Sequence, residues 1–352
     1  MLGISIFLAD RTLEENIAYM KEMKEAGCKE IFTTLHMPED DIDILKEKLL
    51  AIAQAAKTLE MDLIADISGK VLEQFPISYL LESGVTGLRM DFGFSPREIA
   101  DFSHKMKIAL NASTLTPEFM DALKDHSICF ENIEAWHNYY PRPETGLDKE
   151  QFIEKNKWLQ SNGITTMSFI PGDGLKRKPL FQSLPTLEKH RHQSSFLAYL
   201  ELENNCAVDK IFVGDLTLSA WSLHQFQMYA EGIIPLRVIK ELPYALWDTV
   251  HRNRLDAARD AIRSENARTD EARFATEKNI APANTVNRPK GTITVDNHLY
   301  GRYECEMQIT LTDLPAHESV NVIGYVIEED IPLLEYVRKG GSQFSFTAIS
   351  ND

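Results

Sequence analysis

Three runs decide the fold: DLIADIS (62–68), GLRMDFG (87–93) and KIALNAST (107–114). Each is a short apolar stretch closing on a polar residue, followed by a segment whose apolar positions recur with helical spacing. The rhythm extends both ways, with strands predicted at 3–8, 30–35, 62–67, 87–92, 107–112, 127–132, 165–170 and 210–213. Amphipathic segments such as NIAYMKEMKEAG (16–27) and DKEQFIEKNKWLQSNG (148–163) lie between them, the latter ending in Asn-Gly where a helix should stop. Eight β-then-α units in about 235 residues have the count and length of a (β/α)8 TIM-type barrel, in the α/β class. A doubly wound open sheet is the competitor, but GISIFLADR (3–11) has no glycine fingerprint after the first strand.

Ser95-Pro96-Arg97-Glu98 and Thr116-Pro117-Glu118 each place a capping hydroxyl before a proline in the first helical turn. Asp66 and Asp91, at the strand ends, are therefore not needed as caps. After about Pro235 the rhythm changes. LWDTVHRNRLDAARDAIRSENARTDEAR (246–273) reads as a charged helical stretch, and runs with strand alternation follow it. The expected division is a catalytic barrel at 1–237 and a small β-rich domain at 238–352.

The 352 residues include 43% hydrophobic and 26% charged residues, enough for a large core, and carry a net charge of −16. Such a surface repels phosphate backbones and anionic lipid, so neither a nucleic-acid nor a membrane partner is expected. Any phosphorylated substrate must be held by a local group of cations. The four cysteines have no zinc-type spacing and read as thiols in a reducing compartment. The N-terminus MLGISIFLAD lacks a basic region and turns charged at Asp10, so no signal peptide is read and a cytoplasmic location is expected.

In a barrel the chemistry sits where strands end. Alternation puts Arg89 and Asp91 on one face of their strand, Asp66 with Ile64 and Ser68 on the next, and Asn111 with Ala109 and Ser113 on a third. Adjacent strands lie about 4.8 Å apart, so Asp66 and Asp91 are expected on the order of 5–6 Å from each other. That spacing suits two carboxylates acting on a glycosidic bond; the alternative is that Asp91 merely pairs with Arg89. ENIEAWHNYYPRPETGLDKE (131–150) then offers Glu134, Trp136, His137, Asn138, Tyr139 and Arg142 close together. These combine aromatic faces for stacking, polar edges, and in Arg142 a bidentate anchor for phosphate or carboxylate; an aromatic loop covering the barrel end is the plainer account of Trp136 and the tyrosines. The seventh loop, SFIPGDGLKRKPLFQSLPTLEKHR (168–191), carries Lys176, Arg177 and Lys178 in a row, a phosphate grip or a solvated basic run. His190 and His192 lack a third ligand, so no metal and no cofactor are expected.

The combination GISIFL, TTLH-PED (33–40), DIS, GLRMDFGF, HNYYPRPETGL, LPTLEKHR and the late TITVDN–LYGRY resembles the bacterial 6-phospho-N-acetylmuramidases, once labelled outer surface proteins of unknown function. The resemblance implies a barrel followed by a cyclophilin-like β-barrel domain. It also implies hydrolysis of the β-1,4 bond of N-acetylmuramic acid 6-phosphate–N-acetylglucosamine in cytoplasmic cell-wall recycling. The first strand reads ISIFLAD where some family members carry a proline and glutamate, and Asp10 is given no catalytic part. On this reading Asp66 and Asp91 are the working carboxylates, with Glu134 and Asp215 in reserve. His36, Arg89, Asn111, His137, Asn138, Tyr139, Arg142, Arg177 and Asp215 are the substrate-binding candidates. A phosphosugar isomerase or aldolase on the same barrel, and a non-catalytic sugar-phosphate binder, are the rival functions. A small phosphorylated disaccharide is the expected partner, with a homodimer left open.

Overall fold

Strand β1 (Leu2–Ser5) can lie close to its neighbours because residue 3 is glycine: a Cβ there would meet the Phe212 ring at 2.5 Å. It pairs in parallel with β2 (Glu30–Thr34) on one side and β8 (Lys210–Val213) on the other. Between them run β3 (Asp62–Ile67), β4 (Gly87–Met90), β5 (Lys107–Asn111), β6 (Ile133–Trp136) and β7 (Thr165–Ile170), so the eight strands close into a parallel barrel. This computed structural model describes residues 1–35, 42–269 and 279–349; His36 lies outside the described residues.

The barrel interior is filled by Phe7, Phe32, Ile64, Ala109, Trp136, Met167, Phe169, Phe212 and Leu216. Strand and helix limits largely follow the sequence pattern. The Ser95 hydroxyl accepts from the Glu98 amide at 3.3 Å while the Glu98 carboxylate accepts from the Ser95 amide at 2.8 Å, and Thr116 accepts from the Phe119 amide at 3.2 Å.

Strand six departs from expectation. It occupies Ile133–Trp136, not 127–132. Ser127 takes a left-handed φ of 59°, the Cys129 amide and the Asn132 side chain bond to Ser103, and Phe130–Asn132 form a 3-10 turn. Those bonds occupy the groups a strand would need.

The chain divides into two compact units, Met1–Phe226 and Gln227–Asp352. The second holds a seven-stranded sheet in the order β10–β15–β9–β14–β12–β13–β11. Its strands are β9 (Ile233–Lys240), β10 (His251–Arg252), β11 (Ala261–Arg263), β12 (Thr292–Asp296), β13 (Met307–Thr310), β14 (Val320–Val326) and β15 (Gln343–Ala348). The division expected at 237/238 thus falls inside β9, whose Pro235 discourages a strand reading. The described part of the charged stretch, 246–269, is not the continuous helix its charges suggest. Ala261 and Ile262 are drawn into pairing with Thr310 and Ile309 of β13, where Ile262 is fully buried, so sheet formation overrides helix propensity. Among the described residues no helix is long and apolar enough to cross a membrane.

Candidate active site

The β3–β4 register sets Asp66 directly beside Arg89, and the inward alternation that buries Ile64 brings both side chains to the carboxyl end of the barrel. Arg89 Nη1 donates to Asp66 Oδ1 at 2.7 Å and lies 3.7 Å from Asp91 Oδ1. The second oxygen of Asp66 accepts from the Thr34 hydroxyl at 3.2 Å, and Arg89 Nη2 donates to the Asn138 side-chain oxygen. The two acids differ in access: the Asp66 side chain is 12% exposed, that of Asp91 34%.

Asp66, Arg89, Asp91 and Asn138 line a cavity of about 220 Å³ together with Phe32, Tyr139 and Phe169. The three rings meet edge to face, with centroids 5.1 to 6.5 Å apart. Such a set offers an apolar surface next to charged groups, the combination a pyranose needs for stacking and for hydrogen bonding around its rim. The Tyr139 hydroxyl accepts from Arg177 Nη1 at 2.7 Å. Arg177 in turn donates to Asp10 at 3.3 Å and lies 3.9 Å over the Phe7 ring.

The loop after β6 is held in place from the LPTLEKHR segment. Glu188 accepts from the Glu144 and Gly146 amides at 2.8 and 2.7 Å and makes a two-point ion pair with Arg191, both contacts at 2.6 Å. Arg191 also donates to the carbonyls of Ser183 and Arg142. These bonds, Arg191 first, pull the Glu188 carboxyl down to about 2. The clamp leaves the Arg142 side chain exposed, with no ion pair among the described residues.

Comparison with known proteins places this geometry. The model of 6-phospho-N-acetylmuramidase N-terminal domains matches residues 2–228, and the model of the C-terminal domains of the same family matches residues 236–347. The chain belongs to the 6-phospho-N-acetylmuramidase family. Among solved structures it is similar to a conserved protein of unknown function from Enterococcus faecalis (42% identity, 99% of this chain and 96% of that one, TM-score 0.88). It is also similar to an uncharacterized B. cereus protein (25% identity, 98% of this chain and 99% of that one, TM-score 0.74). A search of the curated proteins finds no match. Family membership supports a glycoside hydrolase of muropeptide recycling.

Within this 6-phospho-N-acetylmuramidase barrel several residues expected at the site lie elsewhere. Glu134 is the first correction. It sits at the opposite end of the barrel, bonded to Lys210 Nζ at 2.6 Å and to the Trp136 indole, in an ion-pair group with Glu30, Lys107 and Asp62 where strands begin. His137 is the second. One residue past inward-facing Trp136 it points outward, bonds Asn156 at 2.7 Å on the helix Lys149–Ser161, and packs on Phe152. Burial pushes its pKa down to about 4, leaving a neutral structural ring. Asp215 is the third. It is fully buried and accepts from the Gly172 and Leu184 amides at 2.9 and 3.0 Å, and so ties both ends of the seventh loop, outside the cavity lining. Burial raises its pKa.

Asn111 accepts from the Ser113 amide and hydroxyl at 3.0 and 2.7 Å and shapes the turn after β5, away from the cavity lining. In the basic run, Lys176 is turned inward onto the Gly172 carbonyl, Ser183 and Asp215. The start of the helix Ala220–Ala230, where a barrel could hold a phosphate, is occupied by Asp173, which accepts from Ser219 and Ser222. Sequence reasoning missed Phe32, Thr34 and Phe169 as site residues. Their signal was present: strand alternation gives Phe32, Thr34 and Phe169 the same inward face as Asp66.

Proposed function

We propose that the protein hydrolyses the β-1,4 bond between N-acetylmuramic acid 6-phosphate and N-acetylglucosamine in the cytoplasm. The observation that carries the reading is the meeting of Asp66 and Asp91 on one guanidinium nitrogen above three aromatic rings. Asp66, tied by Arg89 and Thr34, is the fixed anion that faces the anomeric carbon or orients the 2-acetamido group. Asp91, more exposed and less tied, exchanges the proton with the glycosidic oxygen. Since both acids touch the same nitrogen, their nearest oxygens cannot be further apart than the sum of 2.7 and 3.7 Å. That ceiling admits the roughly 5–5.5 Å spacing of retaining enzymes, and the retaining outcome is the one we propose. Arg142, exposed beside the site loop, is the cation for the 6-phosphate.

Proton magnetic resonance of the fresh cleavage product tests this. The β-anomer of the newly freed reducing end should appear first and then mutarotate. An α-anomer first would exclude the retaining arrangement, and no cleavage would leave a sugar-phosphate binder.

A further inference from the structure

We infer that Tyr139 is a further catalytic residue: its hydroxyl donates a hydrogen bond to the sugar held between Asp66 and Asp91, and Arg177 is the positioning residue that aims it. A phenol has one hydrogen to donate and lone pairs to accept. Arg177 has only hydrogens to give, so its 2.7 Å bond to the Tyr139 oxygen must be one that the tyrosine accepts. The tyrosine's own hydrogen then points elsewhere, and among the described residues no group accepts it. The ring lines the cavity with both acids. Burial raises the Tyr139 pKa, so the hydroxyl keeps its hydrogen throughout the neutral range.

Arg177 is unusually well fixed for a residue on a glycine-containing loop. Asp10 takes its Nε at 3.3 Å, and the guanidinium lies flat enough on Phe7 to sit 3.9 Å from the ring centre. Its Nη1 donates to Tyr139. This geometry moves Arg177 from direct phosphate binding to support of the tyrosine, and it gives Asp10 a place behind Arg177.

The inference rests on the glycosidase reading, and a double-mutant cycle with the phosphorylated disaccharide separates the two. Tyr139→Phe removes one oxygen and keeps the ring packing. It should lower kcat about 10- to 100-fold, the worth of one hydrogen bond made mainly in the transition state, with KM changed less than about threefold. Arg177→Gln should lower kcat to a similar extent, and the double variant should be no worse than the poorer single one, because Arg177 acts through the tyrosine. Melting temperatures of the variants confirm folding; if Arg177→Gln does not fold, Arg177→Lys replaces it in the cycle. Wild-type kcat in Tyr139→Phe would overturn the catalytic assignment. Multiplicative losses, with KM raised in the Arg177 variant, would overturn the positioning role and return Arg177 to the phosphate. A wild-type protein that releases no sugar would overturn the proposed function itself and this inference with it.

Discussion

Three consecutive residues at the end of the β6 segment show how one position along a strand separates structure from chemistry. Trp136 fills the barrel interior and Asn138 takes a hydrogen bond from Arg89, whereas His137 between them is held in the outer layer by Asn156. Periodicity carried this information, since a period of two assigns alternate residues to opposite faces. The density of polar and aromatic residues at 134–142 obscured it, because each looked like a ligand by type. Asp66, Arg89 and Asp91 were legible because a charged residue in an otherwise apolar, inward-facing run needs a partner or a task. The neutral His137 has a consequence for stability. Its pKa in the folded protein, about 4, lies below the unfolded value of 6.5, so the unfolded chain binds the proton that the folded one excludes. Stability present above about pH 6.5 should therefore drain away as pH falls toward 4. In urea melts across that window, His137→Gln should lose less stability on acidification than the wild type. Parallel curves would show that the ring does not titrate on unfolding.

At the scale of elements, the site is an arrangement of loops fixed by carboxylates that accept from the protein's own backbone amides. Asp215 pins the seventh loop, Asp173 fills a helix start, and Glu188 gathers the loop after β6. None of the three could be told from a catalytic acid by residue type alone, which is why Asp215 reads as a candidate from sequence. What distinguishes them is the direction of neighbouring amides, a property of turns that a linear pattern does not contain. The misplaced sixth strand has the same origin: a left-handed Ser127, and the bonds of Cys129 and Asn132 to Ser103, interrupt the run that reads as a strand. Gly146 tests the clamp. A Cβ there would come within 2.6 Å of the Glu188 amide nitrogen and carboxylate, and the backbone atom cannot move aside cheaply. Gly146→Ala should cost about 1–3 kcal/mol in chemical denaturation. It should also lower kcat/KM several-fold by shifting Asn138 and Tyr139. Unchanged activity at reduced stability would mean the clamp does not align the site.

For the whole molecule, a net charge of −16 sets the terms on which an anionic substrate can bind. Tolerance of a dianionic phosphate has to come from a few placed cations. With Lys176 turned inward and Arg177 held by Asp10 and Tyr139, Arg142 and Lys178 remain exposed, and of the two only Arg142 carries a fork that can hold two phosphate oxygens. Arg142→Lys should therefore reduce the preference for phosphorylated over unphosphorylated disaccharide on the order of 10²-fold, since lysine cannot copy a two-point grip. A variant that keeps the full preference would return Arg142 to a structural part in its proline-flanked turn. The barrel was legible from its repeated β-then-α rhythm. The second sheet was legible only in part, because β9 carries a proline and β10 and β11 are too short to show a period.

The central claim is that Asp66 and Asp91 jointly cleave a phosphorylated cell-wall disaccharide. The most direct measurement is steady-state release of N-acetylglucosamine from N-acetylmuramic acid 6-phosphate–N-acetylglucosamine by the wild type, Asp66→Asn and Asp91→Asn, with circular dichroism confirming the fold of each. The wild type should turn over, and each variant should lose about 10²- to 10⁴-fold in kcat. A folded variant that keeps near-normal kcat would remove that aspartate from the mechanism, and a wild type that releases nothing would contradict the account as a whole.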